Sequence, residues 1–546
     1  MIELGIDTGS LSERGRFAEG LLERFAFSVP DQFDPADSYE SELRTFFADR
    51  YGGPTGAIHG GSGRCGTSGY FHAKGMGRTP LISSRADWFH SHGCMWLEEA
   101  IRETIYSELA CAEFPHSAIP VIAIIDCGLH IYSDSEPPGA RRAMIVRPNF
   151  IRLAHLERSI YFGTAGSVRS NQYLDALRTK EVIQSFVNRA SEGSRGVFLT
   201  RNIEETFSRI GEQIGYGWAS RLFHGGYLSS NITINGELLD FGSFRALPNW
   251  RRAYTAPNQP AFGDDIQMVL ASAHSIAFYF SRYVPSASSS QLRRELQAVT
   301  QQSATAQFDK ELGALVAPIA VQCGVLADRV KAALAELFSE QQADPVNYLS
   351  GEQTVRFPWV TNTRGWERTS ESLGKGRVLD RIDLLMTEVE QLRGMGPLVR
   401  QCLMRTLKPR RLLFREHLLQ LTESLISRGR YKAPDFPNQL CVYIDSLVAA
   451  GRRAWRVANP QHLTTIRHYD SLCSVLTCTN PLEGRSYLRI DATASKEKIF
   501  LPGGPVSRKT IEARVPVQEC GNGRVTYDTL PVGDSLVGSV SRRNAE

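Results

Sequence analysis

Lysine is scarce in this chain. Of 62 basic residues only ten are lysines, and Lys74 is the only one before Lys180. Such a bias toward arginine reflects coding composition more than function, but it makes each lysine easy to weigh. Net charge is also small, +4 over 546 residues, which gives no support to a nucleic-acid partner or a polybasic membrane surface. Long apolar runs are missing as well. No stretch approaches about 18 uninterrupted apolar residues, so no membrane span is expected. The ten cysteines are scattered without a Cys-x-x-Cys pair, and the spacing of Cys473 and Cys478 has no matching second half, which argues against zinc. The opening Met-Ile-Glu-Leu-Gly-Ile-Asp has neither the basic start nor the apolar core of a signal peptide. Free thiols in a reducing cytoplasm are therefore expected. No internal repeat or low-complexity tract is visible. What is left is an ordinary globular composition, 42% hydrophobic and 22% charged, in a chain long enough for roughly two to four domains.

The stretch His224 to Phe244 is the most informative. Ile232, Ile234 and Leu238 are apolar, and Asn235-Gly236 is a two-residue turn signal. Two short strands joined there bring Asn231 and Asp240 to one open end. An amide oxygen and a carboxylate held together form a hard-cation site, suited to magnesium bridging phosphates. Asp240-Phe241-Gly242 also spells the metal-binding tripeptide of protein kinases.

Other parts of a phosphate site precede it. Gly60-Gly61-Ser62-Gly63-Arg64 can lay backbone N–H groups over phosphates; a plain turn is the competing reading, and Ser62 is equally a turn residue. Thr67 to Lys74 reads as a strand ending on the lone lysine. Trp96 to Ala112 reads as an amphipathic helix with Glu98, Glu99, Glu103 and Glu108. One of these can pair with Lys74, and the other three are expected on a solvated acidic face. Ile119 to Ile131 reads as a strand pair, and Ala143 to Ile151 as a strand holding Arg147. Asp37 to Tyr51 is expected to be a helix, and Asp264-Asp265 to cap the helix that starts near Ile266. His90 and His92 lack a third ligand and read as surface residues. Lys180 to Ala190, Asn202 to Phe223, Asp265 to Tyr283 and Ser289 to Gln342 have helical periodicity. The expected organisation is a helical lead-in (1–50), a β-rich lobe (51–165), a helical lobe (166–345), a further helical region (346–469), and a small β-rich appendage with a disordered end (470–546). The class is α+β, with a strand-rich lobe followed by a helical one, the order of parts in a protein-kinase-like bilobal fold.

With those motifs in order, the chain resembles the SelO (YdiU) family, kinase-fold proteins that bind ATP in a flipped orientation and transfer AMP to protein hydroxyls. Gly61-Ser62-Gly63-Arg64 is similar to the family's Gly-Asp-Gly-Arg, and Lys74-Gly75-Met76-Gly77-Arg78-Thr79-Pro80 to its Lys-Gly-x-Gly-x-Thr-Pro. Ile101-Arg102-Glu103 matches its Ile-Arg-Glu. Arg147 and Arg152-Leu-Ala-His-Leu-Glu resemble its two-arginine segment. His224-Gly225 through Asn231, then Asp240-Phe241-Gly242, follow its His-Gly-x-x-x-x-Asp-Asn and Asp-Tyr-Gly pattern, and Asn258-Gln259-Pro260 follows its Asn-Gln-Pro. The resemblance implies that Lys74 holds ATP phosphate with Glu103 orienting it, and that Asn231 and Asp240 hold Mg2+. It further implies that Gly61, Ser62, Gly63, Arg64, Arg147 and Arg152 contact the nucleotide.

Two departures bear on chemistry. Ser230 stands where the family has an acidic residue, and at neutral pH a serine is a poor base or metal contact. The interval between Lys74 and Glu103 is longer than in the family and contains Trp88-Phe89-His90-Ser91-His92-Gly93. Three functions therefore stay open: AMP transfer to a protein or peptide hydroxyl; activation of a peptide or small-molecule carboxylate as an acyl-adenylate for amide or ester formation in natural-product maturation; and a non-catalytic ATP-binding pseudokinase scaffold. A carboxylate acceptor is already ionised and needs no base. No nucleic acid or membrane is expected as partner, and the C-terminal third is a candidate surface for a partner protein.

Overall fold

The computed structural model describes residues 45–347, except 54–58, 84–85, 87, 132–139, 160–167, 191–196, 248–250, 255–258, 321–322 and 340–341, together with Leu21 and strand segments between 463 and 527. The chain is α+β. An antiparallel sheet comes first and helices follow.

The sheet has five strands: β1 (Phe47–Ala48), β2 (Cys65–Ser68), β3 (Phe71–Lys74), β4 (Ala123–Ile131) and β5 (Ala140–Pro148), in the order β1-β2-β3-β5-β4. Thr67 to Lys74, expected as one strand, is divided by a turn. Gly69 takes a φ of 61° and folds β3 back on β2, pairing Cys65 with Lys74 and Thr67 with His72. Strand alternation then decides which side chains share a face. Ala73 pairs with Val146 and, with Met144, Ile122 and Ile125, forms a small apolar cluster on one face. His72, Lys74, Ile145 and Arg147 fall on the other face through the pairs His72 with Arg147 and Lys74 with Ile145. Helix α1 (Leu97–Glu113) packs there, burying Leu97, Ala100, Ile101, Ile105 and Leu109 in the main core.

Three expectations in this region are corrected. Residues 45–51 contain β1 and no helix, because Phe47 and Ala48 pair with Thr67 and Gly66 at the sheet edge. Residues 119–131 hold one strand, β4, with a register shift between Asp126 and His130 that absorbs the Asp-Cys-Gly break. Asp265 does not cap its helix through its side chain; it is buried and accepts Trp218 Nε1–H at 3.0 Å.

The helical part contains α2 (Val168–Ala190), α3 (Val197–Ser220), α4 (Ile266–Tyr283), α5 (Ser289–Ala320) and α6 (Gly324–Ser339). Ile203, Phe207, Ile210 and Ile214 repeat at helical spacing on α3 and are fully buried. They join Val269, Ala273, Ile276 and Phe280 of α4 in the main core. α3 and α5 meet backbone to backbone: a Cβ at Gly215 lies 2.2 Å from the Ala304 carbonyl oxygen, so only glycine fits. A strand Gln342–Asn347 follows α6 and pairs in parallel with Arg251–Tyr254. Near the C-terminus, strands Leu463–Asp470, Cys473–Asn480, Arg485–Ile490 and Thr526–Tyr527 form a second sheet, and Ile499–Leu501 pairs with Gly504–Val506. The helices expected before residue 45 and between 348 and 462, the disordered end and Asn258 lie outside the described residues.

Candidate active site

The face of the sheet that carries Lys74 meets α1 and the loop after α3. Lys74 Nζ lies 2.7 and 3.1 Å from the two carboxylate oxygens of Glu103, and 3.4 Å from Asp240 Oδ1. Arg147, one strand over, donates to Glu103 Oε1. Glu103, Lys74 and Arg147 are nearly fully buried. One glutamate thus holds two cations that strand register places on the same face. Breaking a buried set of this kind by removing one partner costs about 3–5 kcal/mol, so these side chains are fixed.

Asp240 is the open member, with its side chain 41% exposed. The Lys74 ammonium holds its carboxyl well below the usual carboxylate range, with Arg64, Arg147 and Arg152 adding to the effect against burial. Its backbone sits in the left-handed region at φ 56°, unusual for a residue with a side chain. The loop that delivers it is a short hairpin. Thr233 N–H donates to Glu237 O at 2.9 Å, Gly236 N–H donates to Thr233 O at 3.0 Å, and Ile232 bridges Leu238. The Thr233 hydroxyl also takes the N–H groups of Asn235 and Glu237 at 3.2 and 3.1 Å. The connection is therefore a three-residue loop closed by threonine, and the two-residue Asn-Gly turn is corrected. Asn231 ends a 3-10 turn, Ser229–Asn231. Leu239 N–H donates to Asn231 O at 2.9 Å, which puts Asp240 beside it. Asn231 Nδ2 is spent on the Gly226 carbonyl at 3.0 Å, so its Oδ1 carries the remaining lone pairs. A carboxylate oxygen and an amide oxygen next to a lysine suit a hard divalent cation that takes its other ligands from phosphates and water. Ser230 Oγ is 3.4 Å from Asn231 Oδ1 and adds no negative charge.

The other residues singled out by sequence are nearby but already engaged. Gly61 passes so close to the backbone at residue 49 that a Cβ there lies 2.2 Å from Asp49 O, and Ser62 N–H is bonded to that same carbonyl. The glycine segment is thus tied down, and the Ser62 amide is not free for a phosphate. Arg64 makes a bidentate pair with Glu99 at 2.8 and 3.2 Å and bonds the Cys94 carbonyl at 3.0 Å. Arg152 reaches Asp49 at 3.0 Å and the carbonyl of Ser230, between the rings of Tyr51 and Phe150. His92 accepts the Cys94 N–H at 3.0 Å and stacks on Trp88.

Three acidic residues were not anticipated from sequence. Glu99 lies one turn before Glu103 and faces the same way; with Glu103 paired to Lys74 as expected, Glu99 and Glu108 are also buried, so the solvated acidic face is wrong for two of the other three glutamates. Only the i, i+4 spacing of Glu99 and Glu103 could have signalled it. Asp49 gathers Arg152, His155 and His72, and despite burial its hydrogen bonds to the two histidines hold its carboxyl well below the ordinary range. Glu157 accepts the Ser229 hydroxyl behind the loop, and burial pushes its carboxyl up to about 7.

Residues 52–266 match the model of a family described as "Protein adenylyltransferase SelO". Over this segment the chain is similar to the SelO family. Curated relatives include a "Protein nucleotidyltransferase YdiU" from Trichormus variabilis, 27% identical over 188 residues, and one from Trichodesmium erythraeum, 22% identical over 194 residues. Each match covers 34% of this chain, and the chain spans 36% and 38% of those relatives. The SelO segment contains every residue of the site just described except Asp49 and Tyr51.

Proposed function

We propose that this chain is an ATP- and magnesium-dependent nucleotidyltransferase that moves AMP onto a protein or peptide acceptor, and that its sheet and helices are the two lobes of a kinase-like fold with the cleft between them. The observation that carries the reading is Lys74, held by Glu103 on one side and within 3.4 Å of Asp240 on the other. Lys74, Arg64, Arg147 and Arg152 are matched by Glu99, Glu103, Asp240 and Asp49, so the pocket is charge-balanced without a ligand. A triphosphate is strongly anionic and needs a divalent cation with it, which Asn231 and Asp240 would hold. That cation supplies charge neutralisation at the phosphates. Lys74, fixed by Glu103, orients a phosphate oxygen, and the guanidinium groups of Arg147 and Arg152 lie on the same side to receive the remaining charge.

A second reading, activation of a carboxylate as its adenylate, is favoured by one observation: the residue before Asn231 is Ser230, which supplies no carboxylate base. The experiment is to incubate the full chain with ATP and magnesium, with and without a mixture of small carboxylic acids, and read adenylylated protein by mass spectrometry and pyrophosphate by enzymatic assay. AMP on protein side chains supports hydroxyl transfer. Pyrophosphate release that depends on added carboxylate, with unmodified protein, supports activation. Neither product supports a nucleotide-binding scaffold. Ser230→Asp sharpens the test, because a gain of hydroxyl labelling identifies position 230 as the limiting group.

A further inference from the structure

A second concavity lies behind the metal loop. It has a volume of about 630 Å³ and lies between α2, α3 and the turn at Ile234 and Asn235. Its floor is apolar: Leu156, Val182, Phe186 and Ile234, with Ile151 at the edge. Its rim is polar and carries charge of one sign in excess. Glu181 rises from α2 and Glu205 from α3. The one cation in the lining, Arg209, pairs with Glu205 and donates to the Asn235 carbonyl at 3.4 Å, so its charge is spent locally. Glu181 has no ion-pair partner among the described residues. The apolar strip also runs beyond the concavity. Leu174, Leu177, Glu181 and Ser185 recur at helical spacing on α2, and the two leucines are 52% and 38% exposed. A compact ligand would fill the concavity and leave this strip bare, whereas an extended chain covers both. Asn202, Ser185 and Asn235 on the rim supply amide and hydroxyl groups that can pair with a peptide backbone.

We propose that this groove docks an extended peptide segment with aliphatic side chains for the floor and a lysine or arginine for Glu181. It deepens the AMP-transfer reading, on which it rests, by naming a feature of the acceptor. The groove and the nucleotide cleft are two sides of one loop: Ile234 N–H bonds the Ile151 carbonyl at 3.0 Å on the groove side, and the next residue, Arg152, reaches the Ser230 carbonyl on the cleft side. A protein tethered in the groove is held next to the transferring site, raising its local concentration there without using cleft residues.

The test uses the full chain and three fluorescein-labelled peptides read by anisotropy. The probe carries an Arg-Lys pair followed by alternating leucines. One control replaces the pair with glutamates, and the other replaces the leucines with serines. The wild-type chain is expected to bind the probe at least about ten-fold more tightly than either control. Glu181→Lys should reverse the charge preference in favour of the acidic peptide, and Val182→Asp should abolish binding of the probe. ATP binding to Glu181→Lys, measured by calorimetry in parallel, should equal wild type; if wild type binds no ATP, the nucleotide reading fails independently of the groove. The proposal is overturned if the three peptides bind alike, if none binds, or if Glu181→Lys keeps its preference for the basic probe.

Discussion

Asp240 and Glu157 flank the same loop with the same functional group, and the fold shifts their acidities in opposite directions. Asp240, on the cleft side, is half-exposed and lies 3.4 Å from the Lys74 ammonium, which holds it ionised far below ordinary acidity. Glu157, on the inner side, is fully buried and takes a hydroxyl donor from Ser229. The Arg178 guanidinium bonds the Glu157 backbone carbonyl and pairs with Asp175. Burial then raises the Glu157 carboxyl to about 7. The difference separates two jobs. An open carboxylate with a cation beside it suits a metal and phosphates, whereas a buried carboxyl whose ionisation burial disfavours supports the loop from behind.

The most damaging way to break the cleft side is Glu103→Ala, which leaves Lys74 and Arg147 buried without their shared partner. It should destabilise the chain by about 3–5 kcal/mol, read by urea denaturation. Asp240→Ala comes next. It should cut AMP transfer by at least about a hundred-fold while leaving the denaturation midpoint close to wild type, because its side chain is half-exposed; a variant that keeps turnover would remove Asp240 from the site. Glu157→Gln tests the inner side. The folded state favours the protonated carboxyl, so that stabilisation is fully present below the ordinary value of 4.5 and is lost as pH rises through about 7. Wild type should lose up to about 3 kcal/mol across that interval, and Glu157→Gln should flatten the curve of melting temperature against pH. The smallest effect is expected from Glu99→Gln. Arg64 is partly exposed and keeps the Cys94 carbonyl, so stability should change by about 1 kcal/mol or less, with a few-fold weaker ATP affinity by calorimetry if Arg64 serves the nucleotide.

Much of the cleft side was legible in sequence. Lys74 stood out because lysine is rare, and Glu103, Asn231 and Asp240 stood in ordered motifs that place one donor on each element. The inner side was not legible. Glu157 and Asp49 look like any surface acid until strand register and the 3-10 turn bury them. Glu99 was hidden among four glutamates because helical spacing shows which residues share a face and does not show whether that face meets water or Arg64. In the sheet, the turn at Gly69 was missed because Thr67 to Lys74 alternates acceptably as a single strand. The hairpin was located correctly but its turn was not, since the deciding group is the hydroxyl of Thr233, outside the Asn-Gly pair.

The central claim is that the cleft around Lys74 and Asp240 transfers the adenylyl part of ATP. Parallel reactions with ATP labelled at the α-phosphate or at the γ-phosphate, using the full chain, magnesium and a lysate of potential acceptors, test it most directly. The account predicts label from the α-phosphate on the acceptor and label from the γ-phosphate released in pyrophosphate, both lost in Asp240→Ala. Label from the γ-phosphate on the acceptor, with ADP as the product, would contradict it.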